Sequence, residues 1–341
     1  MILHAHISGC AGQMGKTAII DQHGSFLGVR KGRFVLKVAR EQRWEISPVE
    51  LESIIITVEG AAISSAAITL ATTFGIDFVF MKGDQPIARL IPYKYGTVMK
   101  IWQLQLRCFE SGESLFLARS FIEGKLHNQR MVLLEYARRQ RGSGRDSRLL
   151  LEKAAEVDRA ASELGKVERV EDLLTIEGHA AKAYWMAVSS ILPPDIGFTH
   201  RYTRSNPPPG ELDPFNAALN IGYALLRKEV WRSIFLTGLN PYLGFLHKPR
   251  GGRPALVLDL MEEFRPIMVD RPLMGLARSN KDVFTSLKQQ RDGASRSIWS
   301  HIVSYMKEGK PPKNELIITQ ARRLVMHLQG LHRYTPYKSK W

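Results

Sequence analysis

The sequence predicts an α+β protein with a small, β-rich, sandwich-like domain over residues 1–95 and a larger all-helical domain over residues 96–341. The first reason is length, because 341 residues exceed the size that one hydrophobic core usually serves. The second is composition, since 44% hydrophobic and 24% charged residues are typical of globular proteins. The third is a change of hydrophobic pattern near residue 95.

Short segments of alternating polarity, bounded by Gly, Pro or Asp, fill the first part of the chain and predict strands. Between them, the apolar residues of Ser64 to Phe74 are spaced as in one short helix that crosses between strands. The strand segments are SFLGVRKGRFVLKVA, RWEISP, LESIIITVE, IDFVFMK and PIARLIP.

Beyond residue 98, apolar residues recur three and four apart, which predicts helices. Loops are expected at RGSGRDSR, SNPPPGELDP and HKPRGGRP, where Gly or Pro stands beside polar residues. The longest weakly polar run begins at Ala61 and is interrupted by Asp77, which favours two elements of a soluble domain over a membrane span.

A formal net charge of +15 indicates a polyanionic partner and favours nucleic acid, without separating RNA from DNA. Cys10 and Cys108 lie far apart and outside any CxxC pair, so neither a zinc site nor a disulfide framework is expected. The start of the chain lacks the pattern of a secretory leader. Together these features predict a cytoplasmic protein.

The segment GCAGQMGKT, from Gly9, superficially matches a phosphate-binding loop. The pattern requires Gly where Cys10 stands, and the residues that follow are typical of a strand rather than a helix. Without a helix N-terminus there is no dipole to hold phosphate, so a turn between strands is expected here.

Glu177 lies on the apolar stripe of EDLLTIEGHAAKAYWMAV, where a buried carboxylate needs a cation or hydrogen-bond donors. The alternative is a carboxylate at the margin of the stripe that reaches water or pairs with an Arg. This segment alone favours the alternative.

A second acidic segment places His247 before a glycine-rich basic loop and Asp259 and Glu262 three residues apart on the following helix. Two carboxylates on one face repel each other unless a divalent cation lies near them. The alternative is a solvated acidic turn neutralised by Arg265, with His247 held by hydrogen bonds in a loop. Taken together with Glu177, carboxylates plus one imidazole favour Mg²⁺ or Mn²⁺ over Zn²⁺.

Two basic stretches are candidates for DNA contacts, although solvated positions explain the second equally well. They comprise Lys248, Arg250 and Arg253 beside the histidine, and Arg138 and Arg139 with Arg141 and Arg145 further upstream.

Four segments in order resemble the CRISPR-associated integrase, the first and near-universal Cas subunit, which captures new spacers. They are IEGHAAKAYW, DPFNAALNIGYALL, GLNPYLGFLH and LVLDLMEEFRP, with weaker support from KLHNQRMVLL and the terminal YTPY. The resemblance covers nearly the whole chain.

This resemblance implies that the β-rich domain mediates homodimerisation and that the helical domain is catalytic. Glu177, His247 and Glu262 would be the metal ligands, with Asp259 as a supporting acidic residue. Many members have Asp at the position of Glu262, so the distance from metal to backbone would differ here. The implied partners are double-stranded DNA, as captured fragment and repeat array, and a small second Cas subunit.

The activity implied is a metal-dependent DNA endonuclease and integrase that joins 3′-hydroxyl ends of captured DNA to the repeat array by transesterification. One alternative is a branched-DNA repair nuclease without integration, which would use the same site. Another is a non-enzymatic, basic nucleic-acid scaffold, whose DNA affinity would depend on salt but not on Mg²⁺.

Overall fold

The computed structural model describes residues 16–83, 85–91, 97–202, 206–248, 250–289 and 293–340. The chain forms two compact units, Met1–Leu104 and Gln105–Trp341. Cys10 and most of the segment that resembles a phosphate-binding loop lie outside the described residues. Among the helices of the described ranges, none has the length and apolar character needed to cross a membrane.

The first unit contains two four-stranded sheets within its described residues, with strand orders β1-β5-β7-β8 and β4-β3-β2-β6. Strands β1, β5 and β7 are parallel to each other, whereas β8 is antiparallel to β7. The strands are β1 (Lys16–Ile20), β2 (Ser25–Arg30), β3 (Arg33–Val38), β4 (Glu41–Ile46), β5 (Leu51–Ile56), β6 (Ala62–Ile63), β7 (Asp77–Lys82) and β8 (Gln85–Leu90).

The strands β2 and β3 form a hairpin whose two-residue turn, Lys31 and Gly32, has φ angles of 49° and 70°. Positive φ at both positions matches the right-handed twist of the flanking strands. Between β5 and β7 the chain forms helix α1 (Ser65–Phe74), which is capped by the Ser64 side chain and ends at Gly75 in the left-handed region. The predicted crossover helix is thereby confirmed.

The core of the first unit draws on both sheets and on α1. Its fully buried members include Ile20, Leu27, Phe34, Ile54, Ala67 and Phe78. The alternation in the sequence therefore places one face of each sheet in a common apolar interior, as the sandwich-like prediction requires.

The second unit is helical, and this confirms the predicted fold class. Helix α3 packs against α4, α5 and α7, and α6 packs against α7. The second unit begins within α2 (Thr97–Glu110). Its further helices are α3 (Glu113–Gly142), α4 (Arg148–Glu163), α5 (Val170–Ile191), α6 (Pro214–Leu236), α7 (Ala255–Arg265), α8 (Arg271–Ser279), α9 (Asp282–Lys288), α10 (Ala294–Lys307) and α11 (Glu315–Leu328). A π-helical turn, Pro266–Asp270, joins α7 to α8.

Candidate active site

Glu177 lies on α5, and its carboxylate meets an ammonium group from α3. The Lys125 Nζ atom donates to Glu177 Oε1 over 2.5 Å, and the Glu177 side chain is 21% exposed. Leu173, Ala180 and Tyr184 on the same helix are buried. The carboxylate is therefore at the margin of the apolar stripe and is neutralised by a lysine.

Glu262 lies on α7 and contacts the same lysine. Lys125 Nζ is 2.6 Å from Glu262 Oε2, while Arg265 Nε donates to Glu262 Oε1 over 3.0 Å. Burial alone would raise the pKa of Glu262, but the charges of Arg265 and Lys125 outweigh it and lower the pKa to about 2. Both carboxylates consequently face one buried cation.

Lys125 is 12% exposed at its side chain and connects the two glutamates. Burial favours the neutral amine, but the opposing charges of Glu177 and Glu262 raise its pKa above the usual value. Lys125 is therefore a charged ammonium inside the helical unit.

His247 follows the loop after α6, and its ring is held by Asp259 of α7. The Nδ1 atom of His247 lies 2.7 Å from Asp259 Oδ1. Since Asp259 also accepts from backbone N–H groups, it is the acceptor in this bond and the hydrogen belongs on Nδ1. The lone pair of His247 Nε2 is then available to a ligand.

The Asp259 carboxylate also shapes the loop that carries the histidine. Its Oδ2 atom accepts from the N–H groups of Phe245 and Leu246 at 2.5 and 2.9 Å, and its Oδ1 atom accepts from His247 N at 2.9 Å. Gly244 leaves room for this turn, because a Cβ there would lie 2.6 Å from Asp259 Oδ2. Asp259 is fully buried and positions His247 through both ring and backbone.

His247 is near enough to Glu262 to interact electrostatically with that carboxyl. Within the described part of the chain, however, no group of three or more His, Cys, Asp or Glu side chains is arranged to hold a metal ion. The two glutamates meet across the ammonium of Lys125 rather than directly.

The donors nevertheless suit a hard divalent cation. Glu177 and Glu262 already converge on one positive charge, and oxygen ligands with one imidazole nitrogen favour Mg²⁺ or Mn²⁺. The Oε2 atom of Glu262 is buried, and it faces the Lys125 ammonium at 2.6 Å.

A buried network on the far side of Arg265 supports the Glu262 carboxylate. The Arg265 guanidinium lies 4.7 Å from the centre of the Tyr223 ring. The Tyr223 and Tyr184 hydroxyls donate to the two oxygens of Asp270 at 2.6 and 3.1 Å. Burial raises the pKa of Asp270 to about 6.

The C-terminal segment fixes the same helix through Glu263. The Tyr334 hydroxyl and the Tyr337 N–H donate to the two Glu263 oxygens at 2.6 and 2.7 Å. Asn128 on α3 donates to the backbone oxygens of Glu263 and Tyr337. A Cβ at Gly124 would lie 2.9 Å from the Glu263 side chain, so glycine permits this close packing.

The predicted basic residues occupy two separate places. Lys248 and Arg250 are exposed beside His247, and Lys248 pairs with Glu171 at 2.9 Å. The Arg253 N–H donates to the Arg250 carbonyl in the same turn.

The second basic stretch lies towards the end of α3. Arg138 and Arg139 are exposed there, and Arg139 pairs with Glu135 at 2.5 Å. Arg138 is about 20 Å along the helix from Lys125 at roughly 1.5 Å per residue. This end of α3 is therefore far from the carboxylates that Lys125 contacts.

The principal residue that sequence reasoning missed is Lys125. It begins the KLHNQRMVLL segment, and it lies four residues after the buried Phe121 and four before the buried Gln129. Glu177 stands out in the sequence because it is a charged residue on the apolar stripe of a helix, and Lys125 has the same kind of position on its own helix.

Fold and site together define a two-domain α+β protein whose helical unit carries an acidic, histidine-containing site. The chain belongs to the family described as CRISPR associated protein Cas1, which matches residues 18–294. This finding confirms the resemblance inferred from the sequence.

Individual relatives agree with this assignment. The chain is 42% identical over 325 residues to CRISPR-associated endonuclease Cas1 1 of Saccharolobus solfataricus, covering 95% of this chain and 84% of that protein. Its fold is similar to a casposase bound to an integration product, with TM-score 0.77 and 22% identity over 96% and 98% of the two chains. It is also similar to a chain of a partial Cas6-RT-Cas1–Cas2 complex, with TM-score 0.66 and 18% identity over 96% and 100%.

Proposed function

We propose that this chain is a metal-dependent DNA endonuclease and integrase of CRISPR adaptation. The observation that carries the proposal is the convergence of Glu177 and Glu262 on one buried cation, with His247 beside Glu262. Membership of the Cas1 family supports the nuclease class, since the Saccharolobus relative is named an endonuclease. The casposase, whose fold is similar, was solved with an integration product, and this favours joining over cleavage alone.

Glu177, Glu262 and His247 would hold one Mg²⁺ or Mn²⁺ ion. When bound, the ion would supply positive charge that stabilises the oxygens entering and leaving at a phosphodiester. Asp259 keeps the His247 ring oriented with Nε2 outward, and Arg265 holds one oxygen of Glu262. The chain's own residues thus orient the ligands before DNA arrives.

In the joining reaction, the 3′-hydroxyl of captured DNA attacks a phosphorus of the repeat array. One phosphorus–oxygen bond forms, the bond to the displaced 3′ oxygen breaks, and the proton of the attacking hydroxyl passes to the leaving group through solvent. Water as the attacking group gives simple cleavage. Energy is conserved between the two phosphodiesters, so the joining step needs no nucleotide cofactor.

Double-stranded DNA is the proposed substrate, and the exposed Lys248 and Arg250 would contact its phosphates next to the site. Arg253 belongs to the same loop, whereas Arg138 and Arg139 would contact DNA further away. We further propose a homodimer through the β-rich unit and a small second Cas subunit as partner. The similar fold within a complex that contains Cas1 and Cas2 supports this assembly.

The test is an integration assay with a labelled fragment bearing free 3′ ends, a supercoiled plasmid carrying the repeat, the second Cas subunit and Mn²⁺. Glu177→Gln and His247→Ala should each lower joining and nicking about a thousandfold while DNA affinity changes little. The matched control is Asp172→Asn, an exposed carboxylate on the same helix, which should remain fully active.

Three outcomes would contradict the proposal. Cleavage of branched DNA with no joining would indicate a repair nuclease. DNA binding that depends on salt, with no activity in Mn²⁺, would indicate a scaffold. Wild-type activity of Glu177→Gln would show that the Glu177 carboxylate is not needed as a metal ligand.

A further inference from the structure

We infer that Lys125 is a resident counter-cation of the active site, and that the divalent ion binds by displacing its ammonium from Glu177 and Glu262. The inference rests on the proposed function, because it concerns how the same site acquires its ion. It assigns to Lys125 the role of a positioning residue that assembles two ligands in the absence of metal.

The contacts place the ammonium on the carboxylate oxygens that a metal ion needs. Lys125 Nζ touches Oε1 of Glu177 and Oε2 of Glu262, and Arg265 already binds the other oxygen of Glu262. A metal ion about 2.1 Å from Glu177 Oε1 would lie within about 4.6 Å of that ammonium. Like charges at this separation repel strongly in a partly buried site.

The ammonium also explains how the ligands remain close without metal. Two carboxylates that face each other in a site of low exposure repel unless a positive charge lies between them. The side chains of Lys125 and Glu262 are only 12% and 8% exposed, so water screens this repulsion poorly. Lys125 supplies this positive charge. It therefore keeps the two carboxylates together in the absence of metal, and it competes with a metal ion for their oxygens.

A second lysine provides a matched comparison. Lys153 on α4 is also paired with two glutamates, Glu152 and Glu156, at 3.1 and 2.7 Å, and its side chain is 13% exposed. Neither of those glutamates is a proposed ligand. Removal of Lys153 should therefore leave metal binding unchanged, whereas removal of Lys125 should strengthen it.

The experiment compares Mn²⁺ binding to metal-free wild type, Lys125→Met, Lys125→Arg and Lys153→Met by titration calorimetry and electron paramagnetic resonance. Lys125→Met should bind Mn²⁺ on the order of tenfold more tightly, because no ammonium opposes the ion. Lys125→Arg, which keeps the charge, and Lys153→Met should match wild type. In EDTA, Lys125→Met should unfold at a lower temperature than wild type, and Mn²⁺ should restore its stability.

In the first case, wild type binds Mn²⁺ and Glu177→Gln abolishes that binding, but Lys125→Met binds Mn²⁺ no more tightly than wild type. This result would overturn the exchange of ammonium for metal while leaving the proposed function intact. If neither wild type nor Lys125→Met binds Mn²⁺ in a way that depends on Glu177, the metal site itself fails, and the exchange fails with it. The two failures are therefore distinguishable.

Wild-type protein offers a second measurement that does not depend on the folding of a variant. Labelling of lysine amines by reductive methylation, followed by mass spectrometry, should modify Lys125 poorly in EDTA and severalfold more in Mn²⁺. Lys153 should be labelled equally in both conditions. If Mn²⁺ leaves the labelling of Lys125 unchanged, its ammonium has not been displaced, and the inference is overturned.

Discussion

Replacing Asp259 with Asn tests whether this carboxylate organises the histidine loop. Each oxygen of Asp259 accepts two hydrogen bonds, with Phe245 N and Leu246 N on Oδ2 and with His247 N and Nδ1 on Oδ1. In Asn one oxygen becomes an NH₂ group, which cannot accept. Whichever way the amide is turned, at least one backbone N–H group then faces another donor.

The expected cost follows from these bonds. Two of the four are lost in the orientation that turns NH₂ towards Phe245 and Leu246, and hydrogen bonds to a charged acceptor contribute about 1.5–3 kcal/mol each. The opposite orientation retains the ring contact only if Nδ1 accepts, which moves the hydrogen to Nε2 and removes the proposed metal ligand. We therefore expect Asp259→Asn to lose about 3 kcal/mol of stability and to bind Mn²⁺ about 10–100-fold more weakly.

Thermal unfolding and Mn²⁺ titration measure the two effects independently. A loss of about 3 kcal/mol corresponds to a fall in Tm of about 6–12 °C for a unit of this size. Asp172→Asn, the same change at an exposed position, should leave both quantities unaltered. Wild-type Tm together with wild-type Mn²⁺ affinity in Asp259→Asn would refute the argument that this carboxylate holds the loop.

Gly244→Ala should cost about 2 kcal/mol in urea unfolding, since its Cβ would lie 2.6 Å from Asp259 Oδ2 and 2.7 Å from the Ala255 backbone. Gly251→Ala, with no described atom within 4 Å of the added Cβ, should be neutral, and equal stabilities would contradict the packing. The pKa of Asp270 is about 6 in the folded protein, against an ordinary value of 3.8. Its protonated carboxyl therefore contributes to the free energy of unfolding below pH 4, and this contribution is lost as the pH rises through 6. The free energy of unfolding is measured against pH for wild type and for Asp270→Asn, and the difference between them should fall by about 3 kcal/mol across this window. A difference that does not change with pH would exclude the raised pKa of Asp270.

Much of the fold follows from local pattern. The alternation in SFLGVRKGRFVLKVA predicts a hairpin, and the structure has β2 and β3 there. The apolar spacing between Ser64 and Phe74 predicts the crossover helix α1. Such elements are predictable because the side chains that decide them lie within a few residues of one another.

The candidate site was predictable only in part, because its charges are balanced by residues distant in sequence. Glu177 stands out as a carboxylate on an apolar stripe, but its partner Lys125 lies 52 residues away. The three-residue spacing of Asp259 and Glu262 suggested a shared cation. In the structure Asp259 binds the histidine loop, while Glu262 binds Lys125 and Arg265. Spacing identifies a helical face, but it does not determine which partner each side chain finds.

The three acidic residues of α7 contact three different parts of the helical unit, and these contacts fix the position of Glu262. Asp259 ties α7 to the histidine loop, and Glu263 ties it to the C-terminal segment through Tyr334 and Tyr337. Asp259 and Glu263 are four residues apart, so they lie on nearly the same side of α7, about one turn apart, and the two ties together restrain rotation of α7 about its axis. With the helix held in this way, exchange of an ammonium for a metal ion requires movement of the Lys125 side chain and not of the helix that carries Glu262.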